Sequence, residues 1–284
     1  MSATVTATPA ATTATLSPDQ LAQFADLGYL VLPSFLPADL VARLKVEVDQ
    51  WVSRGEPDDR YAQPGATPPA KPKMQLELPE HGQLISHPPL MAIVEQLLGK
   101  GFAHHHLHTA RHDAGCGGVG WHHDYEQHPQ ANRSHGMLHV FYYLNGLDGT
   151  IGDLLVLPRS QRIVCERYDI GQLFGTQDLP GTVVLDNLPP GSAVIVHSAA
   201  LHARRPKPGG EGKPRYFIDA SYCQAGVRWP GWSFPMLARA RELGLDRGGR
   251  HAHLFDPAHF YDTGAVMEKY RPLNVGSLAP LLTT

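Results

Sequence analysis

The chain has 284 residues, a net charge of −3, 42% hydrophobic and 18% charged residues, which is enough apolar material for a sizeable core and no basic excess to bind nucleic acid. Its three cysteines, Cys116, Cys165 and Cys223, are too few and too far apart for a disulfide framework or a zinc knuckle, so a reducing, cytoplasmic setting is expected. No run of 18 apolar residues exists, so no transmembrane helix and no membrane partner are expected.

Residues 1–15 are almost all Ala, Thr, Ser, Val and Pro and read as a disordered tail rather than a secretory signal. The first helix opens at Ser17-Pro18-Asp19-Gln20, a capping-box pattern with proline at the first helical position, and Gly28 ends it. Tyr29 to Leu32 reads as a short strand. A second helix is predicted from about Pro37 to Val52, with Leu40, Leu44, Val48 and Trp51 along one stripe. Arg54 to Lys73 is rich in Pro, Gly, Asp and Ala and reads as a long loop. A third helix is predicted from about Pro89 to Leu98. From Phe102 to Tyr222 the character changes to short alternating strands separated by Gly, Pro and Asn, as in a β barrel or sandwich. Residues 16–284 are expected to form one domain, with a β core at about 102–222 and a C-terminal extension from 223 to 284.

Within the β region, Ala103 to Arg111 is a strand on which His104, His106 and His108 are expected to share one face and line a pocket. Further on, Trp121-His122-His123-Asp124 contains His-x-Asp. In an extended segment His122 and Asp124 point the same way, so an imidazole and a carboxylate can share one cation. A second histidine from a distant strand would complete a 2-His-1-carboxylate set, which leaves open positions on a non-haem Fe(II). Two histidines compete for that place, His197 after the strand Ala193 to Val196, and His202 five residues later. Arg215 then enters the last strand, where a fixed guanidinium suits a buried carboxylate.

Together these pieces resemble the phytanoyl-CoA dioxygenase family of Fe(II)/2-oxoglutarate-dependent oxygenases. The resemblance runs from the opening helix and strand (Leu16 to Leu32), through Leu97-Leu98-Gly99, Trp121 to Asp124 and the Gly-x-Leu-x-Val-x-Pro-x-Ser segment Gly152 to Ser160, to Leu201-His202 and Arg215. It implies a mainly β (α+β) fold, a double-stranded β-helix or jelly roll of cupin type with flanking helices. It implies iron held by His122, Asp124 and His202, and 2-oxoglutarate and O2 as cosubstrates, with Arg215 pairing the far carboxylate of 2-oxoglutarate. His108 and Lys73 are further candidates for contact with the cosubstrate.

The implied activity is hydroxylation of an unactivated C–H of a small-molecule metabolite, with release of succinate and CO2. Desaturation or cyclisation on the same ligands, and a non-catalytic jelly-roll binding protein, are the alternatives. An intact carboxylate at Asp124 favours hydroxylation over halogenation, since halogenases of this superfamily carry Gly or Ala there. Pro158-Arg159-Ser160-Gln161 departs from the family's Pro-Gly-Ser-His and is expected to rim the pocket. Trp229 to Phe234 is expected either to cover the pocket as a lid or to bury itself against the sheet. His251, His253 and His259 are expected to be surface residues.

Overall fold

The computed structural model describes residues 15–53, 74–127, 133–206, 213–231 and 234–266. The expected tail to residue 14, the loop from Arg54 and Lys73 lie outside the described residues. Helix α1 (Pro18–Leu27) has its capping box: Ser17 Oγ accepts from the Gln20 amide, and Gln20 Oε1 accepts from the Ser17 amide. Gly28, at φ 79°, closes it in the left-handed conformation. Strand β1 (Tyr29–Leu32) and helix α2 (Ala38–Val52) follow as expected, with Leu44, Val48 and Trp51 buried. Before α4 (Pro88–Leu98) stands a helix the sequence did not announce, α3 (Pro79–Ile85). It is only two turns long, and the buried Glu47 carboxylate accepts from the amides of Glu80 and His81 at its start.

The β region holds β2 (Phe102–His112), β3 (Val119–His122), β4 (Met137–Tyr143), β5 (Leu154–Val156), β6 (Val183–Leu185), β7 (Ser192–His197), β8 (His202–Arg204) and β9 (Arg215–Gln224). They form two antiparallel sheets, one in the order β1-β7-β4-β9-β2 and the other β3-β8-β5-β6. Four strands of the chain's β core lie in each sheet, which is the jelly-roll arrangement, and β1 widens the larger one. Helix α5 (Asp169–Phe174) packs on β3, and α6 (Phe234–Glu242) lies after the core. The remaining strands, β10 (Trp229–Gly231) and β11 (Phe260–Asp262), pair in parallel.

Alternation assigns each side chain of the large sheet to a layer. Leu138, Val140, Tyr142, Ile195, Ile218, Ala220 and Tyr222 face the helices and join the core with Leu44, Val48, Leu90 and Val94. Phe141, Tyr143, Val194 and Val196 face the other way and pack with Leu154 and Val156 of the small sheet. Leu155, between those two, turns outward to Trp121 and Ala203.

Two sequence expectations are corrected here. His104 does not share a face with His106 and His108. A β-bulge at His105 shifts the register, so that His104 pairs with Tyr222 on the helix side while His106 and His108 pair with Ser221 and Asp219 on the inner side. Nor does Pro158 to Gln161 rim the pocket. Arg159 pairs with Asp26, Gln161 donates to the Asp26 carbonyl, and Ser160 Oγ accepts from the Leu201 amide, so the segment ties α1 to the small sheet.

Asn145-Gly146 makes the predicted turn after β4, with Gly146 at φ 73° and a would-be Cβ 2.0 Å from the Leu188 carbonyl oxygen. Gly146→Ala is expected to lower stability by more than about 2 kcal/mol, because strained φ and backbone overlap add. A urea titration that shows a wild-type midpoint would refute this.

Candidate active site

His122 and His202 meet because β3 and β8 pair with these two residues directly opposite each other. Their rings lie 4.3 Å apart, centroid to centroid. Asp124 lies two residues past His122, beyond the end of β3, where its amide donates to the Ser198 carbonyl at 2.7 Å. Its carboxylate lies 3.2 Å from His202 Nε2 and 3.8 Å from His122 Nε2. All three donor atoms fall within 4.8 Å of one another. The intervening His123 turns away and bonds the Cys165 carbonyl.

The tautomers suit a metal. His122 Nδ1 donates to the Gly120 carbonyl at 2.8 Å and His202 Nδ1 to the Ala200 carbonyl at 3.1 Å, so each Nε2 is left bare towards the third residue. Burial, helped by the neighbouring His202, lowers the His122 pKa to about 4, so the ring is neutral near pH 7. Burial opposes ionisation of Asp124, but the His122 and His202 rings outweigh it and hold the carboxyl well below its usual range. One carboxylate and two imidazoles with an open side are a donor set for a divalent ion such as Fe(II).

Arg167 was not foreseen. It donates to Asp124 Oδ1 at 2.5 Å, and its neighbour Tyr168 stacks on His122 with ring centroids 6.1 Å apart. Both arrive with α5, which lies so close to β3 that a Cβ on Gly171 would be 2.4 Å from the Trp121 carbonyl oxygen. No motif marks this segment.

The three donors open into a cavity of about 340 Å³. Its opposite wall is the inner face of the large sheet, including His108, His139, Tyr143, Arg215, Phe217 and Asp219. Arg215 is 3% exposed. Its Nη2 donates to the Tyr143 hydroxyl at 3.3 Å, the guanidinium lies over the Tyr143 and Phe217 rings, and Nε has no partner. Among the described residues no carboxylate pairs with it. A buried cation without an anion is costly, so this end of the cavity is shaped for an anionic ligand. The far carboxylate of 2-oxoglutarate fits that need. His108 lines the same wall, its ring 6.4 Å from that of Phe217.

His197, the rival of His202, is kept out of the cavity. It pairs with Leu138 on the helix side of the sheet and stacks on Tyr125. Trp121, Tyr125 and Tyr142 are fully buried core residues, whereas Tyr143 reaches the cavity. Trp229 is also fully buried, against Tyr125, so the described part of its segment packs inward and is no lid. Trp232 and Ser233 lie outside the described residues. His251, His253 and His259 are partly buried, with His253 edge-on to Phe102, and belong to no donor cluster among the described residues.

A second donor cluster stands beside the first. His106, His139 and Asp219 are buried, on neighbouring strands β2, β4 and β9, with their donor atoms within 4.8 Å of one another.

No helix among the described residues is long and apolar enough to cross a membrane. Residues 24–207 match the family model for phytanoyl-CoA dioxygenase (PhyH). No curated protein sequence matches the chain. Among solved structures, the chain is similar to the non-heme alpha ketoglutarate dependent carbocyclase SnoK from nogalamycin biosynthesis, with 17% identity and a TM-score of 0.62 over 81% of this chain and 94% of that one. HygX from Streptomyces hygroscopicus, with nickel and 2-oxoglutarate bound, is similar at 14% identity and a TM-score of 0.58 over 76% and 90%. EctD from S. alaskensis, with 2-oxoglutarate and 5-hydroxyectoine, is similar at 19% identity and a TM-score of 0.58 over 75% and 78%. At these identities the likeness carries the fold alone.

Proposed function

The chain belongs to the phytanoyl-CoA dioxygenase family of Fe(II)/2-oxoglutarate-dependent oxygenases, and on that footing we propose that it hydroxylates an unactivated C–H of a small-molecule metabolite, releasing succinate and CO2. The observation that carries this is a single cavity with His122, Asp124 and His202 on one wall and the unpaired guanidinium of Arg215 on the other. HygX and EctD, which share the fold, were each solved with 2-oxoglutarate.

Iron held by His122, Asp124 and His202 would supply, with 2-oxoglutarate and O2, the oxidative decarboxylation that drives C–H oxidation. The chain's own residues prepare the ground for it. The Gly120 and Ala200 carbonyls hold the two rings in the tautomer that can ligate, and Arg167 fixes Asp124 Oδ1. Arg215 pairs the far carboxylate of the cosubstrate, and the Tyr143 and Phe217 rings beneath the guanidinium exclude water from that pair. His108 contributes to the same wall. The substrate takes the rest of the cavity, bounded by Tyr168 at its mouth.

Desaturation or ring closure would use the same ligands, and the shared fold of the carbocyclase SnoK makes this the second reading. Product mass separates the two, since hydroxylation adds one oxygen and desaturation removes two hydrogens.

The first test is anaerobic. Fe(II) followed by 2-oxoglutarate should give the weak visible metal-to-ligand charge-transfer band of a keto acid chelated to iron. A fully metal-loaded chain without that band would refute the proposal. With the band in hand, succinate release from a metabolite panel identifies the substrate.

A further inference from the structure

We propose that His106, His139 and Asp219 form a second divalent-cation site, of zinc type, in the wall of the cavity. It lies on the large sheet, apart from His122, Asp124 and His202. The three come from adjacent strands. His106 and His139 both sit opposite Ser221, one from each side, and Asp219 is two residues before Ser221 on the same face of β9. Both rings lean onto one carboxylate oxygen: Asp219 Oδ2 lies 2.8 Å from His139 Nδ1 and 3.3 Å from His106 Nε2.

His105 Nε2 lies 3.0 Å from the Pro230 carbonyl and 3.5 Å from the Glu126 carboxylate. The Nδ1 atoms of His105 and His106 face each other at 3.0 Å, and Ser221 Oγ lies 2.8 Å from His106 Nδ1, so the His106 ring is turned with its Nε2 towards the Asp219 carboxylate. The positive charge that this buried carboxylate draws to the point is either a proton, carried by His139 Nδ1, or a metal ion.

Three features favour a metal ion. A third donor, His139, converges on the same point, and together the donors repeat the set of two imidazoles and one carboxylate found around Asp124. Donors on a tetrahedral Zn(II) lie roughly 3.3 Å apart, the separation of His106 Nε2 from Asp219 Oδ2, whereas His139 Nδ1 stands at a hydrogen-bond distance of 2.8 Å from the same oxygen and would move off it as an ion enters. In addition, His106 Nδ1 is held by neighbours, as the Nδ1 atoms of His122 and His202 are, so its Nε2 is presented to the ion. On binding, His139 would release its Nδ1 proton and the ion would take its place. His139 and Asp219 line the cavity, so the ion can be exchanged from solution.

The test uses the full chain, stripped by a chelator, reloaded with cobalt(II) or zinc(II), and analysed for bound metal by mass spectrometry of the digested protein. Two ions per chain are expected for the wild type. One is expected for His106→Gln, and one for the double variant His122→Ala/His202→Ala. His106→Gln should keep the charge-transfer band with Fe(II) and 2-oxoglutarate, which separates this site from the one proposed for iron. Circular dichroism checks that each variant is folded, and Asp219→Asn serves if His106→Gln is not. One ion per chain in the wild type and none in the double variant would overturn the proposal and leave a proton in the gap. Two ions without a charge-transfer band would support this site while refuting the oxygenase assignment.

Discussion

His202→Ala should leave a folded chain that no longer retains Fe(II). Altering a group that merely orients a metal ligand already costs about 10- to 100-fold in affinity, so loss of a ligand itself should exceed roughly 100-fold. Little structural damage is expected, because His202 sits on the three-residue strand β8 and its ring meets only the nearby Ala200 carbonyl with Nδ1 and the Asp124 carboxylate with Nε2 among the polar groups described. The control is His197→Ala. That ring packs between Phe24 and Tyr125 on the helix side and its Nδ1 accepts from the Ala199 amide. Its loss should lower the melting temperature and leave iron binding intact. Iron retained by the His202 variant and lost from the His197 variant would reverse the assignment. Isothermal titration with Fe(II) under nitrogen, beside a thermal melt of each chain, reads both effects.

Arg215→Leu should weaken 2-oxoglutarate and strengthen the empty protein. Breaking a buried, hydrogen-bonded charge pair costs about 3 kcal/mol, roughly 150-fold in affinity, so KM for 2-oxoglutarate should rise by that order while kcat at saturation changes far less. Without ligand, however, the guanidinium is buried over two aromatic rings with Nε unpartnered. Replacing even a buried ion pair with well-packed apolar side chains often stabilises a protein by about 1–4 kcal/mol, and a lone buried charge has no pair energy to lose. The melting temperature of the unliganded variant should therefore rise. A residue kept for structure would behave in the opposite way, and a lower melting temperature with an unchanged KM would remove Arg215 from the site.

Much of the architecture was legible because local chemistry and tertiary structure agree. The capping box at Ser17, the stripe on α2, the Asn145-Gly146 turn and the alternation in β4, β7 and β9 each follow a short-range rule. His-x-Asp marked two of the three donors, since two residues of an extended segment share a face. The third was not legible from spacing alone. Whether His197 or His202 joins them depends on the pairing of β8 with β3, and only the family resemblance favoured His202, the one that this pairing brings beside His122. Arg167 could not be found from sequence because it reaches Asp124 across 43 residues from a turn before a short, glycine-containing helix with no apolar period. The cluster of His106, His139 and Asp219 depends on the register of three strands. His106 left a trace as one of the alternating histidines expected to line a pocket, and Asp219 left another, four residues after Arg215 and so on the same face of β9.

The extra residue in β2 bears on how this chain can change length over evolutionary time. His105 divides the strand into two halves with opposite parity, one that puts Phe102 and His104 on the helix side and one that presents His108 to the cavity. Loss of one codon here would restore simple alternation but put one half out of phase. Either the apolar half would face the cavity or the histidine half would turn into the core. A substitution along β2 alters one side chain, whereas a one-residue deletion at the bulge inverts several at once. Length at this point should therefore be held more strictly among descendants of this sequence than the identity of any single residue beside it.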